Sequence, residues 1–584
     1  MSQFSYINQI KQRLEDDSRD MLQRIWEPTV VEIPLSDARR DVCILPDGEI
    51  RSYGYLYGKV PHSGDGQSAY LSSVDGGISW TRHYAKGKMN SCTYIADADI
   101  YLAPKDGKDG LWIKRSSIGP DDPNPQMIKI SDDWYIDSFL PQKSAYGKRV
   151  WFTTQRLDIT DPQNPKTPAV FVYSDDYGLT WTLRELIHTP PFEVTYPHKG
   201  LRWCKGSGSE PYAAEVAEGH MMMLIRSPHD FFYVSYSEDS GNSWSTPQPS
   251  TFYGTNTTPF LLRLSDGRIL AFWNNTKPLS QPDYNKANPP VGDDVKNGLG
   301  ENAFTNRDAA HVAISSDGGK TFKGYREIIL NPLRGNTDFR YNGGLKKSND
   351  KSVHQFQAYE LPYGKILVCL GQNNAARLVI FDLAWLMETD VYEDFADNAL
   401  NKITTHTYVK SFSGCTAAAA GNGHCAWNRA PAAYLVPDPD GSLNEVLSIS
   451  SHHDDRLYND LGGAVWNFPM SVCGRVTIGI KIVQDSARLV LSDRWYNTCD
   501  PYAAEFSPFS FDIKAEDVGE GFAELVLEYD SQKGIANAYV GDKHIASVKA
   551  KTDVPTGISY LVMQCVTESD SKGFYIKKLE KTEL

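Results

Sequence analysis

The cysteines are the residues whose chemistry can be judged first, because thiol chemistry depends on spacing. The chain has nine cysteines in 584 residues, and none forms the C-x-x-C pair used by zinc sites and redox centres. Buried thiols in a reduced protein are the better interpretation, although one pair could form a disulfide in an exported protein. We expect neither a metal site nor a cofactor. Five of the nine lie in the last third of the chain: Cys415, Cys425, Cys473, Cys499 and Cys565.

Composition limits the classes of partner. Acidic residues outnumber basic residues by 73 to 59, which gives a formal charge of −14. A chain this acidic argues against a nucleic-acid backbone as the main partner. No apolar run approaches the roughly 18 residues that a membrane-spanning helix needs. With 41% hydrophobic and 12% aromatic residues, the chain has the composition of a globular protein.

Residues 1–30 are predicted to form an amphipathic helix that packs on the rest of the protein. The segment lacks the apolar core of a signal peptide. The sequence therefore predicts a cytoplasmic protein, or a secreted one whose signal peptide has already been removed. The apolar residues recur at nearly helical spacing: Ile7, Ile10, Leu14, Met21, Leu22 and Ile25.

A short motif, Ser-x-Asp-x-Gly-x-Ser/Thr-aromatic, occurs four times and predicts hairpin turns. Asp and Gly favour a tight turn, the polar side chains satisfy backbone groups inside it, and the aromatic ring packs beneath it. Four copies indicate a repeat architecture. They are SVDGGISW (73–80), SDDYGLTW (174–181), SEDSGNSW (237–244) and SSDGGKTF (315–322).

A second repeat, out of phase with the first, places a turn ending in Gly before an apolar strand. It predicts the inner hairpins of four-stranded blades, whose outer hairpins the Ser-x-Asp motifs close. Residues 31–390 have room for six blades, so we expect an all-β protein with a six-bladed β-propeller. Alternating strands at 395–584 predict a separate, lectin-like β-sandwich. The second repeat comprises LPDGEI (45–50), VAEGHMMMLIRS (216–227), RLSDGRILAFW (263–273) and LPYGKILVCL (361–370).

The Ser-x-Asp motifs are Asp boxes, and with the inner hairpins they resemble the bacterial sialidase superfamily over residues 31–390. The resemblance implies a glycoside hydrolase that releases a terminal α-linked sialic acid, or a related 2-keto acid sugar, from a glycan. The partner would be a sialylated or other anionic glycan. Asp boxes also occur in propellers that are not enzymes, so the function depends on the site.

The resemblance implies three arginines that clamp the carboxylate of the substrate, since a guanidinium group makes paired, charge-assisted hydrogen bonds. Arg40 precedes the first inner hairpin in DARRDVCILPDG, with Arg39 as the neighbouring alternative. Arg226 ends the segment EPYAAEVAEGHMMMLIRS, and Arg307 lies eight residues before the fourth Asp box in NRDAAHVAISSDGG. Three arginines at matched points of three blades favour this clamp over three solvated surface groups.

The resemblance also assigns two carboxylates. Glu210, in the segment that ends in Arg226, corresponds to the glutamate that acts as base toward the family's nucleophile. Asp65, in PHSGDGQSAY, corresponds to the acid/base aspartate, on a Gly- and Ser-rich loop where a lid role is plausible. By composition alone either residue would be an ordinary loop carboxylate. Trp203 and Trp273 could stack on a sugar, although such residues are more often part of a propeller core.

The family's tyrosine nucleophile is missing from its expected place. Counting back from Pro362 in VHQFQAYELPYGKIL puts Gln355 there, beside His354, whereas Tyr341 and Tyr359 each require a shift in register. An amide cannot form a covalent glycosyl intermediate. Gln355 is therefore predicted to orient a water molecule for inverting attack, with His354, Glu210 or another histidine as the base.

Two other readings of this substitution stay open. The protein could be a uronate-specific glycosidase or lyase that uses different chemistry on the same scaffold. It could also be a carbohydrate-binding protein without catalysis. The discriminating observation is which acidic sugar, if any, is released from a glycan.

Overall fold

A computed structural model describes most of the chain. The described residues are 4–16, 19–31, 41–53, 68–85, 87–89, 91–161, 166–190, 209–227, 229–254, 257–277, 307–330, 353–371, 376–397, 399–408, 429–451, 462–500, 502–567 and 570–584. The predicted all-β fold, a six-bladed propeller followed by a sandwich, is confirmed.

Six small antiparallel sheets, here called blades 1 to 6, follow one another along the chain. The first strand of the protein, β1 (Thr29–Val31), pairs with the third strand of the last blade and becomes its outer strand. The other strands are, in blade 1, β2 (Asp41–Ile44), β3 (Ile50–Tyr53), β4 (Ser68–Ser73) and β5 (Thr81–Ala85); in blade 2, β6 (Thr93–Ile95), β7 (Ile100–Lys105), β8 (Leu111–Ser116) and β9 (Gln126–Ser131); in blade 3, β10 (Tyr135–Ile136), β11 (Gln142–Lys143), β12 (Val150–Arg156), β13 (Ala169–Ser174) and β14 (Thr182–Glu185); in blade 4, β15 (Tyr212–Ala217), β16 (His220–Ile225), β17 (Phe231–Ser237) and β18 (Gln248–Tyr253); in blade 5, β19 (Phe260–Arg263), β20 (Ile269–Trp273), β21 (Ala309–Ser315) and β22 (Lys323–Leu330); and in blade 6, β23 (Gln357–Glu360), β24 (Lys365–Leu370) and β25 (Arg377–Asp382).

The four Asp boxes close the outer hairpins of blades 1, 3, 4 and 5, as predicted. In every box the serine hydroxyl donates to the aspartate at 2.8 Å. The same carboxylate accepts the backbone N–H of the Ser or Thr four residues later, at 2.8 to 3.0 Å. Each turn is therefore determined by its own residues, which is why the motif predicts it.

The glycines of these boxes pack each blade against the one before it. A Cβ atom at Gly241 of blade 4 would lie 2.3 Å from the ring of Phe171 of blade 3. Gly77 of blade 1 lies in the same way against Leu367 of blade 6, where a Cβ would be 3.5 Å from the leucine methyl groups. This contact closes the ring a second time, in addition to the pairing of β1 with blade 6.

The N-terminal segment contains two helices in place of the single predicted one, α1 (Phe4–Asp16) and α2 (Arg19–Arg24). Their side chains Ile10, Leu14 and Leu22 are buried against blades 1 and 6, as expected for an amphipathic segment. Met21 is 58% exposed, so its assignment to the apolar face was wrong. One continuous helical phase does not apply across two separate helices. No helix in the described part of the chain is long and apolar enough to cross a membrane.

The C-terminal part forms two packed antiparallel sheets around a second core. Three short helices accompany the strands: α3 (Leu383–Leu386), α4 (Ala503–Phe506) and α5 (Ala515–Val518). The strands are β26 (Val391–Glu393), β27 (Ile403–Thr404), β28 (His406–Tyr408), β29 (Arg429–Pro431), β30 (Tyr434–Pro437), β31 (Glu445–Ser451), β32 (Gly462–Ser471), β33 (Cys473–Ile482), β34 (Ser486–Ser492), β35 (Phe509–Lys514), β36 (Ala523–Asp530), β37 (Ile535–Val540), β38 (Lys543–Lys549), β39 (Ile558–Cys565) and β40 (Ser571–Glu583).

The sandwich packs against blade 5 through polar contacts. The backbone of Trp495 exchanges two hydrogen bonds with the chain after β20: its N–H donates to Asn275 at 2.9 Å, and its carbonyl accepts from Lys277 at 2.7 Å. The Trp495 side chain is fully buried and donates to Thr404 at 3.0 Å. The same segment therefore holds both parts of the protein together.

Candidate functional site

The predicted site residues that the structure describes lie at one end of the blades. Glu210 lies just before β15, and Arg226 comes directly after its partner strand β16, with the Arg226 N–H donating to the Ser209 carbonyl at 2.8 Å. Arg307 precedes β21, while His354 and Gln355 precede β23. The antiparallel pairing places the start of the first strand and the end of the second strand of a blade at the same edge.

Glu210 and Arg226 form a buried ion pair. The Glu210 carboxylate also accepts the Thr258 hydroxyl at 2.6 Å. Burial alone would raise the pKa of Glu210, but the charge of Arg226, the hydrogen bonds from Thr258 and Arg226, and the charge of Arg307 outweigh it and lower the pKa. Glu210 is therefore ionised at neutral pH and feels the charge of both arginines.

Arg307 is fully buried and donates to Nε2 of His354 at 2.9 Å. Because a guanidinium group can only donate, Nε2 must be the acceptor in this contact, which assigns the His354 proton to Nδ1 and makes the ring neutral. Neither ring nitrogen is then available to take a proton from water. The contact makes His354 a positioning residue for Arg307 and argues against its predicted role as a base.

Gln355 lies immediately before β23 with its side chain partly exposed and a left-handed backbone, φ 62°. Tyr359 lies four residues further on, about 13 Å along an extended chain. Its hydroxyl donates to the Val42 carbonyl of blade 1 at 2.6 Å. Tyr359 is therefore held against blade 1 by this hydrogen bond, and the structure does not bring its side chain to the position of Gln355.

Asp137 and Gln155 belong to this site and were missed by the sequence analysis. The Gln155 amide donates to Asp137 at 2.7 Å, and its oxygen accepts the backbone N–H of Glu210 at 3.3 Å. Burial and the charge of Glu210 raise the pKa of Asp137 to about 6, against the opposing effects of Gln155 and Arg226. The sequence offers little signal for them, because Gln155 lies in the mixed strand WFTTQR and Asp137 in WYIDSF, and neither belongs to a motif.

Three of the eleven non-glycine residues with positive φ in the described part of the chain lie at this site. Asp137 (φ 54°), Glu210 (φ 21°) and Gln355 (φ 62°) all have positive φ. Such conformations are uncommon for residues other than glycine and are found preferentially at functional sites. Strain at three candidate residues from three blades supports the assignment of a functional site to this end of the propeller.

The sandwich also reaches this site. Nε2 of His406, in β28, lies 3.4 Å from a carboxylate oxygen of Asp308, the residue after Arg307, and both side chains are buried. The sequence analysis did not find this contact, because the two residues are far apart in the chain and belong to no motif. It links the second part of the protein to the chain segment that carries Arg307.

Some predicted residues lie outside the described residues. Trp273 is fully buried and makes edge contacts with Phe252 and Tyr325, so its interpretation as a core residue is confirmed. Of the cysteines in the last third, Cys499 and Cys565 are buried and Cys473 is partly exposed. Outside the described residues are Arg39, Arg40, Asp65, Trp203, Tyr341, Cys415 and Cys425.

A cavity of about 500 Å³ lies on the axis toward the opposite end of the blades. The first strands of all six blades line it, together with Ile7 and Ile10 of α1. Three aromatic rings in its lining pack against one another. The ring centroids of Phe139 and Tyr212 are 4.9 Å apart, and those of Tyr212 and Phe260 are 4.3 Å apart. Of the candidate residues described above, Tyr359 lines this cavity, whereas Glu210, Arg226, Arg307, His354 and Gln355 do not. Volume alone would therefore have pointed to a different place.

The sheets and the four Asp boxes together define a six-bladed β-propeller with a repeated turn motif. Residues 124–368 match the BNR repeat-like domain. The matched residues run from β9 of blade 2 to β24 of blade 6. No curated protein matches the sequence.

Several solved structures are distantly similar. A Dyadobacter fermentans protein of unknown function is 15% identical, with 61% of this chain and 97% of that chain covered and a TM-score of 0.37. A Trypanosoma rangeli sialidase in complex with sialic acid is 12% identical, with 96% and 95% covered and a TM-score of 0.35. A Penicillium chrysogenum alpha-L-arabinanase complexed with arabinobiose is 12% identical, with 62% and 99% covered and a TM-score of 0.34.

Proposed function

We propose that the protein is a glycoside hydrolase that releases a terminal α-linked sialic acid, or a related 2-keto acid sugar, from a glycan. One observation carries the proposal: buried guanidinium groups from blades 4 and 5, Arg226 and Arg307, both stabilise the charge of one buried carboxylate, Glu210, at the same end of the blades. Buried arginines are suited to binding a carboxylate by paired hydrogen bonds.

In this proposal Arg226 and Arg307, with Arg40, bind the carboxylate of the sugar. The leaving oxygen also needs a proton donor, a role that the resemblance gives to Asp65, which lies outside the described residues. Gln355 orients a water molecule for direct attack on the anomeric carbon, because its amide cannot serve as a nucleophile. Glu210 is then the described carboxylate that could accept the proton of that water.

The proposal is tested by incubating the protein with sialyllactose and with a panel of uronate-capped glycans, and following the released sugar by NMR. We expect sialic acid, first seen as the anomer opposite to that in the substrate. Retention of configuration would show that the water-attack mechanism is wrong. Release of uronate alone would show that the substrates are uronate-capped glycans and not sialosides. Binding without release of any sugar would identify a carbohydrate-binding protein.

Arg307→Ala should cost about 2–5 kcal/mol of transition-state stabilisation, since it leaves the substrate carboxylate without a buried charge partner. The measurement is kcat/KM for sialyllactose. Arg268→Ala is the matched control, because Arg268 is also in blade 5 but pairs with Asp266 in the β19–β20 turn at the other end. Equal kcat/KM in Arg307→Ala and the wild type would show that Arg307 does not bind the substrate carboxylate.

A further inference from the structure

Asp137 is placed differently from the other charged residues of the site. It follows the two-residue strand β10 of blade 3, and its side chain is exposed to solvent. Protein nevertheless surrounds the carboxyl group closely enough to raise its pKa to about 6 by desolvation. Asp137 therefore lies at the solvent-exposed edge of the site, close enough to the buried Glu210 to feel its charge.

Among the described residues, one oxygen of Asp137 is held by a hydrogen bond. Oδ2 accepts the Gln155 amide at 2.7 Å, and Gln155 is buried and also accepts the backbone N–H of Glu210. One amide side chain therefore sets the position of Asp137 relative to Glu210. The left-handed backbone of Asp137 (φ 54°) shows that this orientation is maintained against the local preference of the chain.

From this geometry we propose that Asp137 is a catalytic acid of the site, which donates a proton to the oxygen that leaves the sugar. The inference rests on the proposed function and deepens it. Asp137 then does the work that the resemblance assigns to Asp65, and the two assignments make different predictions.

The step is balanced as follows. The Asp137 proton moves to the glycosidic oxygen while the bond from that oxygen to the anomeric carbon breaks, and the bonding electrons leave with the oxygen as an alcohol. Water forms the new bond to the anomeric carbon and gives its proton to a basic group, for which Glu210 is the described carboxylate. Asp137 recovers a proton from solvent.

The charged groups around Asp137 suit a proton donor. Glu210 of blade 4 and Asp106 of blade 2 raise its pKa, while Arg226 opposes them. Glu210 itself has a lowered pKa. Two neighbouring carboxyl groups whose pKa values are moved apart in this way can act as an acid and an ionised partner in the same pH range.

The test compares two substrates that differ in how much the leaving oxygen needs a proton. Sialyllactose has a poor leaving group, the alcohol of lactose, which needs a proton as it leaves. The 4-nitrophenolate released from 4-nitrophenyl sialoside leaves without protonation. Asp137→Asn should lower kcat/KM for sialyllactose by about 10²- to 10⁴-fold and change the nitrophenyl substrate much less. It should also remove the fall in sialyllactose activity as the pH rises through about 6.

Three variants complete the experiment. Asp133→Asn is the control, because Asp133 is an exposed aspartate in the turn before β10. Asp137→Glu should keep part of the sialyllactose activity, which a mere folding defect at this position would not allow. Asp65→Asn is measured in parallel and should not show the dependence on leaving group.

Each outcome of these measurements either supports or overturns the assignment of Asp137 as the catalytic acid. The inference is overturned if Asp137→Asn loses both substrates equally, if it loses neither, or if only Asp65→Asn spares the nitrophenyl substrate. In those cases an active wild type leaves the proposed function intact. A wild type that cleaves neither substrate overturns the proposed function, and the assignment of Asp137 falls with it.

Discussion

At the scale of residues, the site is built from side chains whose ionisation is set by their neighbours. Glu210 stays ionised because Arg226, Thr258 and Arg307 together outweigh its burial. His354 stays neutral because its Nε2 accepts from Arg307. A neutral acceptor at this position does not cancel the charge of Arg307, as a second carboxylate in the same place would.

This arrangement predicts that His354 supports Arg307 without exchanging protons. His354→Ala should destabilise the protein by about 1–3 kcal/mol, because it removes an acceptor from a buried donor. His354→Gln should recover most of that loss, since its amide oxygen can accept from Arg307. Activity against pH should have the same shape in the wild type and in His354→Gln. Loss of the acid limb of the profile in that variant would show that His354 is a base after all.

The sequence predicted some of these residues because they lie close to recognisable motifs. Glu210 and Arg226 belong to one hairpin, and Arg307 is a fixed distance from an Asp box. Asp137 and Gln155 could not be found in this way. They join the site only when blade 3 packs beside blade 4, and no local pattern records which polar residue in a strand will face the axis.

At the scale of elements, the Asp boxes are the same structure placed in different surroundings. The carboxylate of Asp75 and that of Asp239 each accept their serine hydroxyl at 2.8 Å. Asp75 is only 6% exposed, because α1 and α2 cover its turn: a Cβ at Gly76 would lie 3.2 Å from both Leu14 and Leu22. The turn around Asp239 faces solvent.

Burial should therefore decide how much each box contributes to stability. Asp75→Ala removes a buried carboxylate that accepts the backbone N–H groups of Ile78 and Ser79, and should lower the free energy of unfolding by about 2–3 kcal/mol. Asp239→Ala should cost about 1 kcal/mol, since water can replace the lost acceptor. Urea unfolding of both variants measures the difference. Equal losses would mean that the helices do not shield the first box.

The same elements explain why the fold was predictable and the N-terminal segment was only partly so. Each Asp box is stabilised by hydrogen bonds within about eight residues, so its turn is recorded locally in the sequence. The division of residues 1–30 into α1, α2 and β1 depends instead on contacts with blades 1 and 6. The pattern of apolar residues predicted most of the buried face of this segment but not the break between α1 and α2.

At the scale of the whole molecule, a buried polar chain joins the propeller to the sandwich. His311 of blade 5 accepts the backbone N–H of Asn275 through Nδ1 at 3.0 Å and contacts the hydroxyl of Tyr560 through Nε2. Tyr560 in turn donates to Glu327 at 2.5 Å. Burial lowers the pKa of His311 to about 3, so the ring is neutral and donates from Nε2.

Removing the Tyr560 hydroxyl should break this chain without removing the ring. Tyr560→Phe leaves His311 and Glu327 without their common partner and should cost about 1–3 kcal/mol. Because β21 carries His311 and starts next to Arg307, we also expect weaker binding of an anionic sugar, measured as KM for sialyllactose. Tyr539→Phe, at the far sheet of the sandwich, is the control. If Tyr560→Phe unfolds at the wild-type temperature with an unchanged KM, the sandwich supports neither the stability of the propeller nor its site.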